Sequence, residues 1–395
     1  MAPRLSAVIL AAGFSSRMGE LKALLPLGGR TVLEQGIRLF RECGMEEVVV
    51  VLGHRAGEVG AIAQRAGART VNNPDFTAGM YSSIRAGVRQ ISSWSQGFFL
   101  LPVDIPLVRP GTIGLLTKAF MDAPSRIFYP VFDDRRGHPP LIATELIPVL
   151  IEPKNPGGGL RSLLATLEAR QPEQVREVQV ADANILFDMD TREDYLAGCR
   201  RWERDGVPTP AECEAILRHF HPMPEKGLAH GRRVAEIAAA LCAAVNRNSG
   251  QALDAELCWV SGLLHDIAKG HASHEREGGR WLRDFGFDRA AAIVAAHRDL
   301  DWTPDLAISE KEIVHLADKL ARGNRIVGIV QRFEENLVFY RNDPEAAEAI
   351  RNRYAQALQL AAAVEAAAGR RIDDILFSFQ PHAVPDQYPL SPRDR

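Results

Sequence analysis

The chain has 395 residues, room for two or three domains of about 100 to 200 residues each, which excludes a small disulfide-stapled scaffold. Its 46% hydrophobic and 25% charged residues are an ordinary globular mix, and a net charge of -3, from 47 Lys plus Arg against 50 Asp plus Glu, leaves no electrostatic footprint for DNA or RNA. No apolar run approaches the roughly 18 residues of a membrane helix, so a partner membrane is not expected either.

In chain order, Arg4 and the apolar run Leu5 to Ala12 come first. The run is short and leads straight into Gly13-Phe14-Ser15-Ser16-Arg17, so it reads as a first strand, centred on Ala7 to Leu10, and not as a signal peptide. Val32, Ile37, Leu39 and Phe40 then keep a helical spacing that Gly44 stops. Val48 to Leu52 and Phe98 to Val103 are further strands, and Ile127 to Val131 and Ile185 to Phe187 are weaker ones. Strands alternating with helical patterns predict βαβ units, a mainly parallel sheet and a three-layer α/β domain over residues 1–200. Gly206-Val207-Pro208-Thr209-Pro210 breaks the texture, and 201–212 reads as a linker. Helical stretches follow at Val234 to Val245, Ala255 to Ile267, Ala290 to His297, Lys311 to Ala321 and Ala346 to Ala368. They predict an all-α second domain over 213–380, with 381–395, which holds Pro381, Pro385, Pro389 and Pro392, as a flexible tail. The five cysteines show no C-x-x-C spacing and read as reduced thiols of a cytoplasmic protein.

The first chemical constellation is Leu10-Ala11-Ala12-Gly13-Phe14-Ser15-Ser16-Arg17-Met18-Gly19-Glu20-Leu21-Lys22, directly after the first strand. Small residues there let backbone N–H groups approach phosphate oxygens, while Arg17 and Lys22 supply charge. The spacing is neither that of Walker NTPases nor that of Rossmann dehydrogenases. Asp104 ends the third strand and so belongs at the same sheet edge. A carboxylate there suits Mg²⁺, although Asp104 by itself would also serve as a helix N-cap.

Leu10 to Lys22 resembles the L-A-x-G-x-S-x-R-M-G-x-x-K signature of the molybdenum-cofactor nucleotidyltransferases, a branch of the nucleotide-diphospho-sugar transferase-like superfamily. The resemblance continues through Gly79 to Gly87, Val103-Asp104-Ile105-Pro106, Gly137-His138-Pro139-Pro140-Leu141, Gly159 to Leu164 and Asp188 to Asp194. It implies a nucleotide site built from Leu10, Ala11, Ala12, Gly13, Arg17, Lys22, Gly79, Ser82, Ser83 and Asp104. It also implies Mg²⁺ on Asp104, completed by Asp188 or Asp190. Ala12 and the Gly-His-Pro element resemble the cytidylyl branch, which implies CTP and molybdopterin as substrates and a molybdenum hydroxylase apoenzyme as a downstream partner. In the implied reaction an already ionised terminal phosphate attacks the α-phosphorus of CTP in line and pyrophosphate leaves. Such a step needs positioning and charge neutralisation from Arg17, Lys22 and Asp104 more than a general base. His138 reads equally as a substrate contact or as a structural residue.

The second constellation is His230, His265-Asp266, His274, His297 and Asp318. A single histidine on an apolar helix is commonly a satisfied core residue, but burying the adjacent His265-Asp266 pair is costly without a metal or other partner. The pattern, with Gly262-Leu263-Leu264 before it and Ile267-Ala268-Lys269 after it, resembles the HD-domain metal-dependent phosphohydrolases. The resemblance implies one divalent metal on His230, His265, Asp266 and Asp318, and a second on His274 and His297 bridged by Asp266. Mixed N/O ligation leaves Mn, Fe, Co and Ni all open. Water activated there would attack phosphorus, with Asp266 and Lys269 in the catalytic set. His271 and His315 read as surface or structural residues, and His219 and His221 match no motif.

Together the two resemblances imply a cytidylyltransferase followed by a phosphohydrolase. A GTP-dependent enzyme, a different phosphorylated acceptor, or a transferase controlled by a nucleotide-sensing HD half remain as alternatives.

Overall fold

In the computed structural model, which describes residues 3–14, 18–152 and 159–378, the chain divides into two units, Met1–Asp205 and Gly206–Arg395. Arg17 and the tail 381–395 therefore lie outside the described residues.

The first unit is built on a mixed eight-stranded sheet. Seven of its strands are β1 (Leu5–Ala11), β2 (Glu47–Leu52), β3 (Arg69–Asn72), β4 (Gly97–Pro102), β5 (Ile127–Phe132), β6 (Leu141–Ala143) and β7 (Val175–Gln179), in the order β7-β5-β6-β4-β1-β2-β3. The two-residue strand Arg135–Arg136 pairs with β5. β6 runs antiparallel to both of its neighbours, and the other pairs along this order are parallel. β1, β2 and β4 are buried along their whole lengths, as continuous apolar runs require when helices cover both faces of a sheet. Val8, Val49 and Phe98 are each 0% exposed in one cluster, and each such side chain contributes about 1.5–3 kcal/mol by burial.

Helix α1 (Val32–Glu42) starts in a capping box between Thr31 and Glu34, and Gly44, at φ 81, follows its end. Helices α2 (Ala56–Arg65), α3 (Met80–Val88), α4 (Pro110–Asp122), α5 (Gly159–Arg170) and α6 (Arg192–Glu203) complete the unit's longer helices. The anticipated strand at 185–187 is instead a turn of 3-10 helix, Ala183–Leu186. Asp182 opens that turn by accepting from the backbone N–H of Asn184, and Ile185 is apolar because it is fully buried there. Residues 201–212, anticipated as a linker, carry the end of α6 and the start of a capped helix, α7 (Pro210–Ala215).

Among the described residues the second unit's regular structure is helical apart from one pair of two-residue strands, Ala321–Arg322 and Arg325–Ile326. Its helices after α7 include α8 (Glu225–Ser249), α9 (Ala255–Leu264), α10 (His274–Asp284), α11 (Asp288–Ala296), α12 (Glu310–Lys319), α13 (Ile329–Phe339) and α14 (Pro344–Ala368). α8 packs against α9, α12 and α14. Two glycines let α8 and α9 approach at backbone distance. A Cβ on Gly231 would sit 2.5 Å from the Leu263 carbonyl oxygen, and one on Gly262 would sit 2.8 Å from Ala235 Cα. Among the described residues no helix is long and apolar enough to cross a membrane.

Candidate functional sites

β1 lies between β2 and β4, so the chain runs to one side of it through β2 and β3 and then crosses to its other side at β4. The carboxyl ends of β1 and β4 therefore flank a topological switch point, where open α/β sheets bind ligands. Leu10 is in register with Pro102, and Val103 N–H donates to the Leu10 carbonyl (3.1 Å). This places the loop of Ala12 and Gly13 beside Asp104.

Lys22 donates from one ammonium to Asp104 Oδ2 (3.2 Å) and to Asp190 Oδ1 (2.5 Å). Asp190 arrives there because Met189 N–H donates to the Asp104 carbonyl (2.9 Å) and the Met189 side chain is buried with Leu25, Leu27 and Val32. Burial alone would lower the Lys22 pKa, but the bonds and charges of Asp190 and Asp104 outweigh it and raise it. Asp188 is exposed and shares no such bond with Lys22. Two carboxylates converging on one point, with oxygen donors only, fit a hard cation such as Mg²⁺.

Two cavities open along this edge. One of about 330 Å³ is lined by Ala11, Gly13, Phe14, Lys22, Ser83 and Asp104. The other, about 870 Å³, is lined by Tyr129, Arg136, Gly137, His138, Arg161 and Glu168. Leu10, Gly79, Met80 and Pro102 line both. Ser82 Oγ lies within hydrogen-bond reach of the Asp75 and Gly79 carbonyls. Buried Asn73, which sequence reasoning missed, donates to Ser82 Oγ (2.8 Å) and Ser83 Oγ (3.0 Å). Its signal, Asn72-Asn73-Pro74 ahead of a helix, reads as an ordinary turn. The His138 backbone is fixed by donation to the Ile185 carbonyl (2.9 Å), and burial lowers its imidazole pKa against the pull of Asp104 and Asp188.

In the second unit the close approach of α8 and α9 sets His230 beside His265. His230 Nε2 lies 3.3 Å from Asp318 Oδ1 and 4.0 Å from Asp266 Oδ2. His265 Nε2 lies 3.6 Å from Asp266 Oδ2 and 3.7 Å from Asp318 Oδ1. Oδ1 of Asp266 faces His274 Nε2 (3.4 Å) and His297 Nε2 (3.8 Å). Ligand atoms of His230, His265 and Asp266 gather within 4.8 Å of one another, as do those of Asp266, His274 and His297.

The histidine Nδ1 atoms face backbone carbonyls: His265 to Gly262 (2.8 Å), His297 to Val294 (2.7 Å) and His230 to Gly323 (3.2 Å). Donation through Nδ1 leaves Nε2 as the lone-pair nitrogen, the usual arrangement behind a metal-binding imidazole. His265 is 1% exposed and its Nε2 has no hydrogen-bond partner. Such an atom is expensive unless a cation or a hydrogen-bonding partner occupies the space before it. Burial lowers the pKa of His265 and takes that of His297 to about 4. Burial would raise Asp266 and Asp318, but His265 and Lys269 outweigh it at Asp266, and Lys319 and His230 at Asp318, so both carboxyls are held below their ordinary value.

Lys269 is bonded to Asp266. Lys319, on the next residue after Asp318, bonds its carboxylate (2.8 Å), and Arg332 lies 3.5 Å from the same carboxylate. Neither was anticipated. His315 is buried and faces the His297 carbonyl through Nδ1 (2.8 Å), supporting the turn that carries His297. His271 packs edge-on to Trp281 (5.3 Å), and His221 stacks on the same indole (3.7 Å).

Comparison with known proteins agrees with this division. A MobA-like NTP transferase domain matches residues 7–175, and an HD domain matches residues 227–323. The molybdenum cofactor cytidylyltransferase of Escherichia coli K12 is 26% identical over 49% of this chain and 95% of its own length. The nicotine blue oxidoreductase of Paenarthrobacter nicotinovorans is 33% identical over 48% of this chain and 94% of its own length. Among solved structures, a nucleotidyl transferase from Methanothermobacter is 25% identical over 51% of this chain and 98% of its own, with a TM-score of 0.44. The chain thus belongs to the MobA-like NTP transferase family through its first half and carries an HD domain in its second.

Proposed function

We propose that the first unit transfers CMP from CTP to the terminal phosphate of molybdopterin, and that the second hydrolyses a phosphoester. The transfer reading is carried by the Lys22 ammonium bridging Asp104 and Asp190 at the switch point, between a small and a large cavity. The small cavity suits the nucleotide. Backbone N–H groups after β1 and the Lys22 charge would hold its phosphates, and Asp104 with Asp190 would hold Mg²⁺, which supplies charge neutralisation in the displacement. Arg17 adds charge to the same loop in this proposal. The acceptor phosphate is ionised at neutral pH, so the site's work is alignment and no side-chain base is required. The choice of CTP rests on Ala12, on Gly137-His138-Pro139 and on the similarity to a cytidylyltransferase over nearly that protein's full length.

For the second unit, the unpartnered Nε2 of His265 supports one divalent transition metal on His230, His265, Asp266 and Asp318, and Asp266 with His274 and His297 would hold another. Such ions supply an activated water and Lewis acidity toward phosphorus. Lys269, Lys319 and Arg332 surround the two aspartates with positive charge, as an anionic substrate requires.

Pyrophosphate release from CTP, GTP and ATP with molybdopterin and Mg²⁺ tests the first assignment. Release with CTP alone, abolished by Asp104→Ala, is expected; equal or better release with GTP moves the assignment to guanylyl transfer. Hydrolysis of bis(p-nitrophenyl) phosphate by Mn²⁺-loaded protein, lost in His265→Ala, is expected of the second unit. Nucleotide binding without hydrolysis by the Mn²⁺-loaded protein would turn that unit into a sensor.

A further inference from the structure

The wall of the large cavity is graded in charge along its length. Arg161, Leu164, Ala165 and Glu168 of α5 all line it, and their spacing puts them on one helix face. Arg161 and Glu168 are seven residues apart, which is two turns or about 10 Å along the axis. The start of α5 lies against α3, since a Cβ on Gly159 would sit 4.0 Å from Tyr81 Cβ. Arg161 therefore enters from the side of Gly79 and Met80, residues that also line the small cavity.

The far end is different in kind. Arg136 donates from Nη1 and Nη2 to the two oxygens of Glu168 (2.8 and 2.6 Å) and from Nε to Glu177 Oε1 (2.7 Å). Its guanidinium also lies 4.7 Å from the centre of the Tyr129 ring. On the lining itself the Glu168 carboxylate cancels the Arg136 guanidinium, so this end offers an anionic phosphate no net attraction. Each Glu168 oxygen keeps a second lone pair for an N–H donor. The Tyr129–Arg136 stack beside it offers a flat surface to a planar ring.

We propose that the large cavity reads its ligand lengthwise: Arg161 takes an anionic phosphate end, and Glu168, fixed by Arg136, accepts N–H donors from a flat heterocycle against Tyr129. The ligand class is an elongated phosphomonoester whose opposite end is an uncharged ring rich in N–H groups. This deepens the transfer reading and rests on it, because such a ligand presents its phosphate toward the wall shared with the nucleotide cavity. Glu168 is then a specificity-determining residue for the acceptor and not for CTP.

The test uses the full chain with two fluorescent probes, 6-hydroxymethylpterin and its monophosphate, beside the kinetics with molybdopterin. The parent is expected to bind both probes and the phosphate form at least about tenfold tighter, a preference that Arg161→Ala removes. Glu168→Gln is expected to weaken both probes and raise the acceptor KM about tenfold, with the CTP KM within about twofold and Glu168→Asp recovering part of the loss. Absence of probe binding in the parent, an unmoved acceptor KM in Glu168→Gln, or an equal rise in the CTP KM would overturn the assignment. Pyrophosphate release with an acceptor KM indifferent to Glu168 leaves the transfer reading standing and removes this one. Probe binding in the expected pattern without pyrophosphate release does the reverse.

Discussion

Nζ of Lys22 lies 2.5 Å from Oδ1 of Asp190, a residue 168 positions later in the chain. Since Asp104 holds the other side of that ammonium, the proposed active edge is a charge cluster and not three independent residues. Lys22→Met leaves two carboxylates facing each other and removes a cation from the phosphate side. It should lower kcat for cytidylyl transfer by about 100-fold or more, the usual cost of losing one preorganised charge partner. Asp190→Asn should cost more than Asp188→Asn, because only Asp190 is bonded to Lys22 among these two. Steady-state kinetics at saturating CTP decide it, and a larger effect at Asp188 would contradict the ordering.

At the opposite end of the sheet, buried Glu47 accepts from Ser6 Oγ (2.8 Å), Ser92 N–H (3.0 Å) and Ser92 Oγ (2.6 Å), with Arg69 beside it. Burial would raise its pKa, yet the Ser92 and Ser6 bonds and the Arg69 charge prevail and lower it. A lowered carboxyl stabilises the fold above the ordinary glutamate value and loses that contribution as pH falls through the depressed one. Glu47→Gln should therefore cost about 1–3 kcal/mol at pH 7. The difference from the parent should shrink below pH 4.5, the ordinary value. Amide exchange of β1 and β2 in the full chain, corrected for intrinsic rates, reads this; a gap that widens in acid would reverse the sign.

Much of the site was legible because its parts sit on strongly patterned elements. β1, β2 and β4 are continuous apolar runs, and the Leu10-to-Lys22 loop and Asp104 fall where those runs end. β3, β6 and β7 were not legible: Arg69–Asn72 and Val175–Gln179 are largely polar with half-exposed apolar residues, and Leu141–Ala143 is three residues long. Ile185 was misread because a buried 3-10 turn and a short buried strand have the same apolar composition. α10 escaped notice since its face is spread over charged residues and glycines, with Trp281 and Leu282 as its large apolar side chains. The six metal-site candidates were recognisable as a motif, but Arg332 and His315 reach Asp318 and His297 through folded proximity that spacing does not encode, and Lys319 adjoins Asp318 in the chain without its spacing showing that the two side chains bond.

The α8–α9 contact is a direct handle on the second site. In Gly231→Ala the new methyl would meet the Leu263 carbonyl at 2.5 Å, so one backbone must move. Overpacking of this kind costs about 1–3 kcal/mol, and the shift separates His230 from His265. Metal-loaded protein should lose both melting temperature and divalent-metal affinity. Loss of melting temperature with unchanged metal affinity would mean that the contact supports the fold alone.

The two candidate metal-binding groups share Asp266 but differ in their other residues. His274→Ala should therefore lower the Mn²⁺ stoichiometry by one ion per chain, whereas His265→Ala should weaken the ion on His230, Asp266 and Asp318 at least about tenfold, by loss of a neutral imidazole donor. Chelation should lower the thermal stability of the second unit, since binding to the folded state alone stabilises it by mass action. Elemental analysis of dialysed parent and variants measures this, and equal metal content in all three would contradict the assignment.

In the proposed function Lys22, Asp104 and Asp190 serve cytidylyl transfer. The most direct measurement is pyrophosphate release from CTP, Mg²⁺ and molybdopterin by the parent, Asp104→Ala and His265→Ala. Release is expected from the parent and from His265→Ala, and none from Asp104→Ala. No release from any nucleotide by the parent, or full release by Asp104→Ala, would contradict it.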